Sequence, residues 1–302
     1  MITKLTLAMV QQHCKGSPAE NLTKSIAGIK LAAEQGANLV ILPELHSHPY
    51  FCKAENPEYF NLAESIPGLT SDELARIAKQ YHIVIVASIF ERRADDIYHN
   101  TAVVLDSDGS HAGIYRKMHI PYDPGYYEKY YFTEGDTGFQ PISTSIGKLG
   151  VMVCWDQWYP EAARLMALAG AKLLIYPTAI GWDPGDTDEE KQRQLNSWIT
   201  IQRGHAIANG VYVASCNRIE TEHDAEVSID FWGNSFIAGP QGELLARADA
   251  SSSSLIMSTI DIAQTKPVRQ TWPFLNERRI DAYAGLTNRY LDQGLAELEQ
   301  PL

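Results

Sequence analysis

The chain of 302 residues carries 25 lysines and arginines against 37 aspartates and glutamates, a formal net charge of -12 that argues against nucleic acid as its main partner. Its 45% hydrophobic and 21% charged content is that of an ordinary globular enzyme, and no apolar run approaches the roughly 18 residues needed to cross a bilayer. Cys14, Cys52, Cys154 and Cys216 are scattered without CxxC or Cys/His zinc spacing, and residues 1–10 lack the longer apolar core of a signal peptide, so a cytoplasmic protein with reduced thiols is expected.

Apolar runs of strand character alternate with helical patterns, which predicts an α/β architecture and a single domain over 1–302. A strand over 5–10 leads through Gly16-Ser17-Pro18 into a helix with Leu22, Ile26, Ile29 and Ala33 on its buried face and Gly36 as its stop. Residues 39–42 read as a buried strand ending at Pro43-Glu44. A second helix opens at Thr70, with Glu73 completing a capping box, buries Leu74, Ile77 and Ala78, and feeds a strand over 83–90. Strands near 100–105 and 113–116 flank the turn Asp106-Ser-Asp-Gly109 and read as a hairpin, which makes the sheet mixed. Residues 121–136, rich in Tyr, Pro and Gly, read as an ordered loop.

The run starting at Leu149 stops at Cys154, and a helix is expected from Pro160, a residue suited to the first helical position, to Gly170. A strand over 172–176, a long loop, a helix over 189–209 and strands at 211–215, 233–238 and 255–260 follow. No internal repeat emerges from residue matching. The stretch 267–302 reads as a C-terminal arm that packs on the body or on a neighbouring subunit.

Three predicted strand ends deliver a reactive side chain: Glu44, Lys117 and Cys154. In α/β proteins such positions line the ligand crevice. A thiol is mostly protonated at neutral pH and needs a base beside it, a role open to Glu44, while Lys117 can steady a tetrahedral oxyanion. Taken singly, each has an ordinary reading, Cys154 as a small core residue, Glu44 and Lys117 as solvated charges.

Together, Leu-Pro-Glu44, Tyr-Arg-Lys117 and Val-Cys154-Trp-Asp resemble the Glu-Lys-Cys signature of the nitrilase, or carbon–nitrogen hydrolase, superfamily, with order and spacing intact from the first strand to about Tyr283. Tyr50-Phe-Cys52, Gly125-Tyr-Tyr-Glu128-Lys-Tyr-Tyr-Phe132 and Cys154-Trp-Asp-Gln-Trp-Tyr-Pro resemble more narrowly its N-carbamoylputrescine amidase branch. The resemblance implies a four-layer αββα sandwich, no cofactor or metal, and homo-oligomers. It implies Cys154 as nucleophile, Glu44 as base, Lys117 with the Trp155 backbone N–H as oxyanion donors, and Glu128 as an aid to the lysine and substrate. Read from its neighbours alone, Glu128 is a loop carboxylate for Lys129.

The implied substrate has a neutral ureido end and a distant ammonium. The loop Gly181-Trp182-Asp183-Pro-Gly-Asp186-Thr-Asp188-Glu-Glu190 offers acids for that cation, Asp183 among them; Trp155, Trp158 or Trp182 is expected to pack on its methylenes or offer a cation–π face, and Tyr50 is a further expected substrate contact. Other carbamoyl or amide hydrolases, such as β-ureidopropionase, N-carbamoyl amino acid amidase or ω-amidase, are the enzymatic alternatives, and a non-catalytic module on the same fold is the other. A Cys–His hydrolase using His46, His48, His119 or His205 has no motif tying the imidazole to Cys154.

Overall fold

In strand β1 (Lys4–Gln11) the side chains of Leu5, Leu7 and Met9 enter one apolar core, while those of Ala8 and Val10 enter another. A strand that is apolar on both faces belongs between two layers. The strands β2 (Leu39–Ile41), β3 (Val84–Ala94) and β4 (Ile97–Leu105) divide in the same way: Ile41, Val86 and Val104 go to the first core, Val40, Ile85 and Val103 to the second. With β5 (His111–Arg116) and β15 (Ser254–Asp261) they form a six-stranded mixed sheet of order β15-β1-β2-β3-β4-β5 in the computed structural model, which describes residues 3–224 and 227–291.

The first core is shared with a second six-stranded sheet, β14-β13-β10-β8-β7-β6, built from β6 (Ile142–Thr144), β7 (Gly147–Val151), β8 (Leu173–Pro177), β10 (Tyr212–Cys216), β13 (Phe236–Ala238) and β14 (Leu244–Arg247). Helices α1 (Pro18–Glu34) and α2 (Leu69–Tyr81) pack on the first sheet, α4 (Pro160–Leu168) and α5 (Asp188–Asn209) on the second. The result is the expected α/β sandwich of two mixed sheets flanked by helices. A small third sheet joins β9 (Gly181–Trp182) to the hairpin β11 (Ile219–Asp224) and β12 (Val227–Trp232).

Both large sheets use one pairing scheme, which residue matching along the sequence misses. Parallel pairs β1-β2 and β2-β3 correspond to β7-β8 and β8-β10, with antiparallel neighbours outside them. The middle strand β2 therefore corresponds to β8, and β1 to β7, in the facing sheets.

Local chemistry sets the helix boundaries. Ser17 N–H donates to Glu20, whose own N–H donates to Ser17 Oγ, with Pro18 as the first helical residue of α1. The buried face of α1 is offset from the expected apolar stripe. Asn21 and Ser25 lie deepest with Ile29 and Ala32, because Asn21 Nδ2 donates to the carbonyls of Cys14 and Gly16 and Ser25 Oγ bonds His46 Nδ1. At α2 the expected Thr70–Glu73 box is replaced by the Gly68 N–H donating to Ser71 Oγ, while Glu73 pairs with Arg76 on the surface. The loop 121–136 contains one short helix, α3 (Glu128–Tyr131). Within the expected C-terminal arm, α6 (Thr265–Thr271) starts the segment and Trp272, Phe274, Ile280 and Tyr290 are exposed; residues 292–302 of that arm lie outside the described residues.

Candidate active site

Cys154 lies three residues beyond β7, where the backbone turns into a 3-10 segment, Cys154–Trp158, before α4. Its φ of +42° is in the left-handed region that a residue with a Cβ rarely adopts. Asp156 secures that turn. Its buried carboxylate accepts from the Val153 N–H (3.1 Å), the His119 N–H (3.0 Å) and the Tyr115 hydroxyl (2.9 Å), and so ties the nucleophile elbow to the chain leaving β5. Trp155 follows in the first turn of the segment, where a helix offers no acceptor for a backbone N–H.

Lys117 is the first residue after β5, and its N–H donates to the Asn100 carbonyl at 2.9 Å. Its ammonium, sealed from solvent, donates to Glu44 Oε1 at 2.8 Å and to Glu128 Oε2 at 2.6 Å. Glu44 lies three residues beyond β2 and is likewise inaccessible. Asn100 Nδ2 also donates to Glu44 Oε1, at 2.6 Å, whereas Glu44 Oε2 has no hydrogen-bond partner. One oxygen is thus anchored and the other is open to a proton. A lone pair left free on a buried carboxylate is costly unless it has a task.

These charges act on the Cys154 thiol. Burial pushes its pKa well above the usual thiol range, the Glu44 and Glu128 carboxylates push the same way, and Lys117 only partly opposes them. The thiol therefore rests protonated and needs a base at the moment of attack. Lys117 is disfavoured as a cation by burial, but Glu128 and Glu44 more than offset this and hold its pKa above the ordinary lysine range. One ammonium cannot neutralise two buried carboxylates. Burial, reinforced by Glu44, pushes Glu128 up to about 7 despite Lys117 beside it.

A cavity of about 500 Å³ opens onto Cys154 and Glu128 between walls that include Trp155, Trp158 and Trp232, and Asp123, Asp183, Asp186 and Glu190 also line it. Of the expected substrate contacts, Trp158 and Asp183 line this cavity. Tyr50 does not: it is fully buried, and its hydroxyl donates to Glu128 Oε1 at 2.7 Å, so it holds the second glutamate from behind. Trp182 borders the adjoining cavity on the hairpin side, packs on Trp232, and donates its indole N–H to the Lys191 carbonyl. Glu128 pairs with Lys117 rather than with Lys129. Asn217 spends its amide on the Ile180 backbone and the Gly233 carbonyl. No group of three or more His, Cys, Asp or Glu side chains suited to a metal ion occurs among the described residues, and no helix there is long and apolar enough to cross a membrane.

The sequence reading gave no role to three residues. Asn100 and Asp156 act on the site through hydrogen bonds from a mid-strand and a turn position, and Tyr126 lines the cavity while its hydroxyl accepts from the Gly181 N–H. Asp156 and Tyr126 stood within the motifs around Cys154 and Glu128, whereas Asn100 carried no such signal.

Comparison with known proteins agrees with this geometry. The family model described as Carbon-nitrogen hydrolase matches residues 6–270. The chain is 40% identical to a citrullinase of Francisella tularensis, over 96% of this chain and 100% of that protein. It is 41% identical to an N-carbamoylputrescine amidase of Solanum lycopersicum, over 92% and 93% respectively. The crystal structure of a carbon–nitrogen hydrolase from Helicobacter pylori superimposes with a TM-score of 0.93 at 48% identity, covering 95% of this chain and 100% of that one.

Proposed function

The chain belongs to the carbon–nitrogen hydrolase family, and from that premise we propose that it hydrolyses N-carbamoylputrescine to putrescine, carbon dioxide and ammonia. The family assignment makes it an amidohydrolase with a cysteine nucleophile; the substrate is the further step. The observation that supports it is the lining of the cavity that reaches the thiol, in which Cys154 is joined by the indoles of Trp155, Trp158 and Trp232 and by Asp123, Asp183, Asp186 and Glu190. Such a lining suits a ligand with an uncharged ureido group and an amine cation, the indoles of Trp155 and Trp158 facing its methylenes.

The chemistry follows from the protonation states. Glu44 takes the Cys154 proton through Oε2 as sulfur attacks the ureido carbonyl, and Lys117 with the Trp155 N–H steadies the oxyanion. Glu44 returns that proton to the terminal amine, which leaves as ammonia. The resulting carbamoyl thioester is attacked by water, whose proton passes to Glu44 and then to the departing sulfur. The carbamic acid released loses carbon dioxide to give the diamine.

Citrulline is a second reading, favoured by Arg193, which lines the same cavity and would suit an α-carboxylate. Arg193 is already engaged by Glu189 and Glu190 on its own helix, so an amine without a carboxylate fits the acid-rich lining better. Ammonia release from carbamoylputrescine, citrulline and carbamoyl-β-alanine separates the cases. A higher kcat/KM for either carboxylate-bearing substrate overturns the proposal.

A further inference from the structure

Arg218 is wholly buried just beyond β10, and it is not among the residues lining the cavity. Its Nη2 donates to the carbonyls of Glu44 at 2.7 Å, Leu45 at 3.0 Å and His48 at 3.3 Å, and its Nη1 donates to Glu222 at 2.8 Å. The three carbonyls belong to the segment that leaves β2, in which Leu45 has a φ of +48°. A buried leucine does not hold that conformation on its own account. Its N–H donates to Ser88 Oγ, which donates to Asn100 Oδ1, while Asn100 Nδ2 donates to the carboxylate of Glu44. The backbone of Glu44 is therefore gripped from one side by the guanidinium and its side chain from the other by Asn100 and Lys117.

Glu222 extends the grip. It lies on β11 and accepts from the Tyr50 N–H at 2.6 Å and from Lys53, which closes the loop 45–53 around Arg218. The same Tyr50 bonds Glu128 through its hydroxyl. Both carboxylates that hold Lys117 thus hang from backbone fixed by one Arg218–Glu222 pair.

We propose that Arg218 is a positioning residue for the reaction: its fork over the Glu44, Leu45 and His48 carbonyls sets where the Glu44 carboxylate stands between Lys117 and the thiol. A lysine in its place keeps the charge but cannot span three carbonyls and a carboxylate. Freed from Lys117 and Asn100, the Glu44 carboxylate would no longer be held where proton transfer with the thiol requires it.

The inference rests on Glu44 serving as the base, so Glu44→Gln is measured beside it. The test is steady-state kinetics of Arg218→Lys and Glu222→Gln, with rates divided by the amount of Cys154 titrated by iodoacetamide in folded protein. The expected result is a kcat lower by about tenfold to a hundredfold, as small displacements of a reacting group bring, with KM little changed. Glu222→Gln keeps the shape of the pair and should show the same loss of kcat more weakly, including where Arg218→Lys does not fold. A normal kcat in either folded variant, or a fall carried by KM instead, overturns the proposal. Full activity in Glu44→Gln instead overturns the base assignment, whatever Arg218 does.

Discussion

The ammonium of Lys117 stands 2.6 Å from Oε2 of Glu128, with both side chains closed off from solvent. Since Glu44 claims the same ammonium at 2.8 Å, the second glutamate is left only half compensated, and its proton is held up to about pH 7.

This makes Glu128 a pH-responsive part of the site. Above about pH 7 its charge holds the Lys117 ammonium where an oxyanion would form, so kcat/KM should climb through that region. Glu128→Gln should abolish this limb and lower kcat. Stability has the opposite sign. Glu128 binds its proton more tightly folded than unfolded, so its contribution falls as pH rises from 4.5 to about 7. Urea midpoints across that range should decline for the parent protein and decline less for Glu128→Gln.

Cys154 carries backbone strain at φ +42° that glycine would not. Cys154→Ala and Cys154→Gly should both lack turnover. Of the two, the glycine variant should be the more stable by about 1 kcal/mol, the reverse of their order at an ordinary helical position. Thermal melts of the two variants check this.

The acids of the cavity should act on binding and not on chemistry. Neutralising Asp183 or Glu190 as Asn or Gln should raise KM for carbamoylputrescine about tenfold and leave kcat near its parent value, the sign of binding shared by ground and transition states. An uncharged alkylurea should show no such change. Unaltered KM in both variants and in Asp186→Asn would exclude this wall as the cation site.

Asp156→Asn should cost stability as well as rate. The buried carboxylate accepts from two backbone N–H groups, the Tyr115 hydroxyl and His119 Nδ1, and an amide can serve only part of that set. A loss of about 3 kcal/mol is expected for breaking such a buried charged network, read from urea unfolding.

Much of this was legible from the residues alone. Strand ends at Glu44, Lys117 and Cys154 could be placed because apolar runs stop there; an α/β architecture followed from their alternation with helices, and the sandwich from the family resemblance. The partners of those residues were not. Asn100 sits inside β4 between His99 and Thr101, and nothing in its local pattern says that its amide meets Glu44 beyond the end of β2. Tyr50 belonged to a motif associated with the site, but whether a tyrosine faces substrate or supports a glutamate depends on loop packing. The hairpin of β11 and β12 was missed because Glu222 and the polar residues around it break the apolar alternation that marks a strand, and Glu222 is buried by pairing with Arg218.

The enclosure of the reacting groups bears on the order of events during turnover. Cys154 is 4% exposed and Glu44 and Lys117 not at all, so the described residues leave the cavity as the approach to the sulfur. With carbamoylputrescine as substrate, ammonia would therefore depart by the passage that water enters, while the diamine half of the thioester still occupied that passage. Traffic of two small molecules past a retained chain, rather than bond-breaking, then becomes a natural place for the slow step.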